Sequence, residues 1–236
     1  MTTLTLFQFP RLFAIPNVSP FCCKMETWLR IAGLPYEVVD TTDPRKGPKG
    51  KMPFIEDGAL RLGDTALIID HLKKTRGVDP DAHLDADQRA TALVVQRTIE
   101  EHYVFVALYT HFIGDEGWRK MRHTFAVPAF IRPFVATMIR DQMRKILKFQ
   151  GVGRHTDNEI MKAARRDWQA VATLFGGGPF FFGAEPATVD ATLFGALATT
   201  LRTPIPSPIR DFLQGQPKLV AHTEHMRQRF FPEFAG

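Results

Sequence analysis

Along the first eighty residues the spacing of apolar positions changes several times, and each change marks an element. Leu4 to Phe9, LTLFQF, reads as a strand. Ser19 to Ala32 then places Phe21, Met25, Trp28, Leu29 and Ala32 at helical spacing, and Gly33 supplies a C-cap. YEVVDTT predicts a second strand, and MPFIEDGALRL a hairpin turning on Asp57-Gly58. A helix follows from Asp64 to a C-cap at Gly77. The predicted order is β-α-β, then β-β-α.

From Asp79 onward the pattern is almost wholly helical. VDPDAHLDADQ reads as a linker, leading into a long helix from about Ala86 to Ile113. Pro128 and Pro133 bracket the start of the next helix, which runs to Phe149. Thr156 to Phe175 predicts another, opened by the capping box TDNE. GGGPFFFGAEP is a loop, ATVDATLFGALATTL a compact apolar helix, and TPIPSP a break before the last short helices. Two domains are expected, residues 1–78 and residues 86–236.

Composition narrows the classes. At 236 residues, 44% hydrophobic and 23% charged, the chain is an ordinary globular sequence. It has no apolar run long enough to span a bilayer and no signal-peptide pattern, so a cytoplasmic protein without a transmembrane anchor is expected. The net charge of +5 gathers partly on Arg140, Arg144, Lys145 and Lys148, which reads as a solvated helix face. No nucleic-acid-binding motif accompanies it. His102, His111 and His123 lack metal-ligand spacing, and no metal is expected.

The chemistry concentrates in NVSPFCCKMETW. Ser19 is a good N-cap and Pro20 falls at the first helical position. The unpaired N–H groups and the helix dipole there favour an anion. Cys22 and Cys23 lie about 100° apart around the axis and cannot both face the cap. On the residues alone, a redox centre, a nucleophile and two packed thiols all remain open.

A strand, then Ser-Pro-Phe-Cys opening a helix, then β, ββ and α, resembles the α/β thioredoxin-like N-terminal domain of the glutathione transferases, which an all-α C-terminal domain follows. SPFCCKMETWLRIAGLPYE, PKGKMPFIEDG, LGDTALIIDHL and PATVDATLFGAL are similar to the failed-axon-connections and metaxin-related branch of that superfamily. The resemblance implies glutathione as co-substrate, with Ser19 donating a hydrogen bond to its sulfur. Cys22 takes the usually buried position. Met52-Pro53 matches the cis-proline step whose backbone meets the cysteinyl part of glutathione. Asp64 and Thr65 suit the γ-glutamyl ammonium and carboxylate, and Lys51 the glycyl carboxylate. Within PATVDATLFGAL, Ala187 stands where a hydroxyl N-cap would be, with Asp190 left to cap the helix start.

An unknown apolar electrophile would lie between the domains, with His102 and Tyr103 as candidates for its pocket. The segment PRLFAIPNV could fold over the site, with Arg11 or Asn17 against a ligand. The resemblance allows a homodimer. It also leaves a rival, a non-catalytic metaxin-like binding or assembly protein. The ending RQRFFPEFAG, with no apolar anchor, argues against the membrane-assembly role of metaxin proper. A thiol oxidoreductase using Cys22 is a third, weaker reading.

Overall fold

In a computed structural model of the chain, residues 4–125 and 127–234 are described. The first part holds β1 (Leu4–Gln8), α1 (Pro20–Ile31), β2 (Tyr36–Asp40), the hairpin strands β3 (Phe54–Asp57) and β4 (Leu60–Gly63), and α2 (Thr65–Arg76). The sheet order is β2-β1-β3-β4. β1 runs parallel to β2, which requires a crossover supplied by α1, and antiparallel to β3. Leu6 pairs with Val38 on one side and Ile55 on the other. Leu4, Leu6 and Ile55 then face Met25, Trp28 and Leu29 of α1 and Ile68, Ile69 and Leu72 of α2. The C-caps read from sequence are present, with Gly33 at φ 63° and Gly77 at φ 67°.

The helical part comprises α3 (Ala86–Arg97), α4 (Val104–Phe112), α5 (Asp115–Met121), α6 (Arg132–Gln150), α7 (Asp157–Leu174), α8 (Thr188–Leu201), α9 (Pro208–Gln214) and α10 (Pro217–Phe230). The expected long helix to Ile113 is one helical path, but Thr98–Tyr103 within it winds as a π-helix. α5 was not expected: its seven residues are too few to show a period. α8 is buried on every side from Val189 to Thr200, as a helix apolar all round must be.

Ala187 offers no side-chain cap to α8. Two carboxylates, one in the helix's own first turn and one from the linker, close the gap. Asp190 accepts from the N–H groups of Ala187 and Phe181, each at 2.8 Å, and from His222 Nε2 at 2.9 Å. Asp81, in the linker, accepts from the Thr188 N–H and hydroxyl, both at 2.7 Å. The Thr188 hydroxyl also takes the Trp28 indole N–H at 3.1 Å. α8 is thereby tied at once to the linker and to α1.

Candidate glutathione site

α1 begins where the sequence places it because Ser19 leaves the helical path at φ −88°, ψ 123° and Pro20 starts the first turn. The Ser19 N–H donates to Asn17 Oδ1 at 3.0 Å, and its Oγ accepts the Cys22 N–H at 3.4 Å. The hydroxyl therefore accepts one backbone N–H and lies against the Cys22 sulfur, a weak acceptor. A half-buried hydroxyl donor at a helix N-terminus can stabilise a thiolate or another anion.

The cysteines are the opposite of reactive. Both are fully buried. Burial pushes the Cys22 thiol up to about 12, with the contacts to Phe9 and Ser19 only partly offsetting it. Burial also pushes Cys23 strongly upward, aided by the nearby Glu26 carboxylate. Full burial and the upward shift both disfavour the thiolate that a nucleophile or redox centre needs. Cys22 instead packs against Met52 and Phe54, beside the stacked rings of Phe7 and Phe54.

That packing brings the segment before β3 up to the start of α1. Met52-Pro53 is cis, and Met52 is buried. Lys51 is an exposed loop residue. Asp64 precedes α2 at φ 86°, a region a non-glycine residue rarely adopts. Its Oδ1 takes both the Ala66 N–H at 3.0 Å and the Leu67 N–H at 3.3 Å. Asp64 is exposed, and both of these bonds use Oδ1. Thr65 is buried, and its hydroxyl accepts from Lys24 Nζ at 3.3 Å.

Lys24 is a residue the sequence reading missed. Its ammonium pairs with Glu100 Oε1 at 2.5 Å, from the π-helical segment of the other domain. Glu100 Oε1 also takes the Thr192 hydroxyl at 3.3 Å, and Oε2 the Gln96 amide at 3.1 Å. A signal existed: Lys24 falls three residues after Phe21 and four before Trp28, adjoining the apolar stripe. A lysine there must either snorkel or find a buried partner.

The four residues expected near a second substrate are used elsewhere. Tyr103 is 1% exposed, bonded to Thr200 Oγ1 at 2.5 Å and packed edge-on to Trp168, so it belongs to the helical core and lines no cleft. Asn17 is fully buried, its amide donating to the Phe9 carbonyl at 2.6 Å; it shapes the loop and cannot touch a ligand. Arg11 meets Glu26 at 2.6 Å and lies over the Phe234 ring. Glu26 is itself buried among Gln8, Arg30 and Tyr36, so the loop from Pro10 to Val18 is pinned to α1 by a charge cluster. His102 bonds Asp167 of α7 through Nδ1, and that bond raises its pKa. Two surface grooves, one lined by Met161, Arg165 and Phe212 and the other by Tyr109 and Pro206, are built from the helical domain alone. Among the described residues no cluster of three or more metal-ligating side chains occurs.

Comparison with known proteins bears on this arrangement. The N-terminal domain profile of the glutathione S-transferases matches residues 20–117, and the C-terminal domain profile matches residues 164–226. Failed axon connections of Drosophila melanogaster is 32% identical over 97% of this chain, which spans 58% of that protein's length. The isoprene-epoxide–glutathione S-transferase of Rhodococcus is 27% identical, with 96% of this chain and 99% of the enzyme aligned. Metaxin-1 of Mus musculus is 26% identical over 97% of this chain and 75% of its own length. Among solved structures, a glutathione S-transferase from Methylobacterium radiotolerans in complex with glutathione sulfonate superposes with TM-score 0.62 at 20% identity. That superposition covers 99% of this chain and 93% of the other. With both domain profiles, the four-stranded mixed sheet and the helical domain in agreement, the chain belongs to the glutathione S-transferase superfamily, on its failed-axon-connections and metaxin-related branch.

Proposed function

We propose that the protein is a cytoplasmic glutathione transferase that activates the thiol of glutathione at Ser19 for attack on an apolar electrophile. The observation that carries this reading is the half-buried Ser19 hydroxyl at the N-terminus of α1, which accepts the Cys22 N–H and has a weakly accepting sulfur beside it. A free thiol is only a few per cent thiolate at pH 7, and lowering its pKa by about two units requires about 2.7 kcal/mol of preferential stabilisation. One charge-assisted hydrogen bond at a helix N-terminus supplies a large part of that. Met52 and Pro53 would face the cysteinyl backbone. Asp64 would take the ammonium through its unshared oxygen, Thr65 the adjacent carboxylate, and Lys51 the glycyl end. The likeness to the Rhodococcus enzyme over nearly its whole length supports the catalytic reading.

Calorimetric titration of reduced glutathione into wild type and Asp64→Asn tests it. The asparagine keeps a capping oxygen for α2 and removes the charge. Binding in the micromolar-to-millimolar range, weakened at least about tenfold in the variant, is the expected result. No binding to either protein would remove the site. The second reading, a non-catalytic binding or assembly protein, is favoured by the likeness to failed axon connections and metaxin-1. It predicts no thiol activation at Ser19.

A further inference from the structure

The buried ion pair between α1 and the π-helical segment lies one hydrogen bond from Thr65. The Lys24 side chain is 2% exposed and that of Glu100 9%. Burying two such charges costs several kcal/mol per ion before their attraction is counted, and apolar side chains of similar volume often hold an interface equally well. Packing alone does not require this pair. Its surroundings give it a use.

Glu100 is locked in place by Thr192 on one oxygen and Gln96 on the other. It stands in the middle of a six-residue π-helix, a rare form that recurs at functional sites. Lys24 is thus held at a fixed point, and from there it donates to Thr65 Oγ1. An ammonium has three donors and no acceptor, so this bond has only one polarity. Thr65 must accept, and its own proton is turned away from Lys24. Thr65 is also the first residue of α2, where unpaired backbone N–H groups gather.

We infer that Lys24, anchored by Glu100, is a positioning residue that commits the Thr65 hydroxyl to donate to the γ-glutamyl carboxylate of glutathione. The inference rests on the glutathione reading above. Lys24 acts through Thr65 and does not touch the ligand. Carboxylate recognition in the thioredoxin-like domain thereby depends on a residue of the helical domain.

The test compares reduced glutathione with its analogue bearing a carboxamide in place of the γ-glutamyl α-carboxylate, both titrated calorimetrically. Wild type binds glutathione at least about tenfold more tightly than the amide. The double variant Lys24→Met/Glu100→Met removes both charges and keeps apolar volume, so the fold is retained. In it the preference falls below about threefold, with an unchanged circular dichroism spectrum and a cooperative melt. A folded double variant that keeps the tenfold preference overturns the inference and leaves the glutathione reading standing. So does an equal loss of affinity for both compounds, the signature of a purely structural pair. Wild type binding neither compound overturns both. If the methionine pair does not fold, Lys24→Leu/Glu100→Gln makes the same comparison, removing both charges and the donor to Thr65 while keeping an amide for Thr192 and Gln96.

Discussion

The two cysteines and His102 show how burial and a single partner decide what a titratable group can do. Cys22 has an ordinary pKa near 9 when unfolded and about 12 in the fold. The unfolded chain therefore loses this proton first, and the stability tied to the neutral thiol is complete below pH 9 and drains away between pH 9 and 12. The denaturant-measured cost of Cys22→Ala is expected to be larger at pH 8 than at pH 10.5; parallel curves would contradict the buried neutral thiol. His102 is raised by its hydrogen bond to Asp167. Its contribution is complete below the ordinary histidine value of about 6.5 and lost as pH rises through the folded value. His102→Gln should therefore destabilise at pH 6 and cost little at pH 9, and an equal cost at both would show that the charge is not used. The pair is half-exposed, so the pH 6 effect is a small one.

At the scale of elements, the contact of α1 with α8 sets how the two domains meet. Gly195 lets the backbones approach: a Cβ there would stand 2.5 Å from the Pro20 carbonyl oxygen and 3.1 Å from the Lys24 nitrogen. Both are main-chain atoms of the helix that carries Ser19, so α1 itself would have to move. Gly195→Ala is expected to lower unfolding stability by about 1–3 kcal/mol, read by chemical denaturation. A neutral or stabilising alanine would show that α1 and α8 have room between them.

Elements were also the scale at which the sequence spoke most clearly. The β-α-β and ββα pattern, the Asp57-Gly58 turn and the Thr156–Glu159 capping box all appear where the spacing put them. These are signals written within a few adjacent residues. What was hidden depends on distant partners. Nothing around Lys24 announces Glu100, 76 positions later, and nothing around Ala187 announces that Asp81 will cap the next residue. Tyr103 misled for the same reason. A tyrosine on a long helix has equal claim to a cleft or a core, and only Trp168 and Thr200 decide between them.

Over the whole molecule, the arrangement sets a serine hydroxyl at the start of α1 and an exposed acid at the start of α2, with a buried ion pair joining α1 to the helical domain. Ser19 opens α1 while Asp64 and Thr65 open α2, and the core of Leu6, Ile55 and Ile68 holds those two helix starts together. The helical domain enters through Glu100 and α8. Under the proposed function this frame activates a thiol at Ser19. The most direct measurement is the pH titration of the thiolate absorbance of bound glutathione, in wild type and in Ser19→Asp. Aspartate still caps α1 but has no proton to donate. The expected result is a thiol pKa lowered by about two units in wild type, the equivalent of about 2.7 kcal/mol, and no lowering in the variant, with both proteins equally stable. Glutathione bound with an unshifted thiol, or a shift that survives Ser19→Asp, would contradict it.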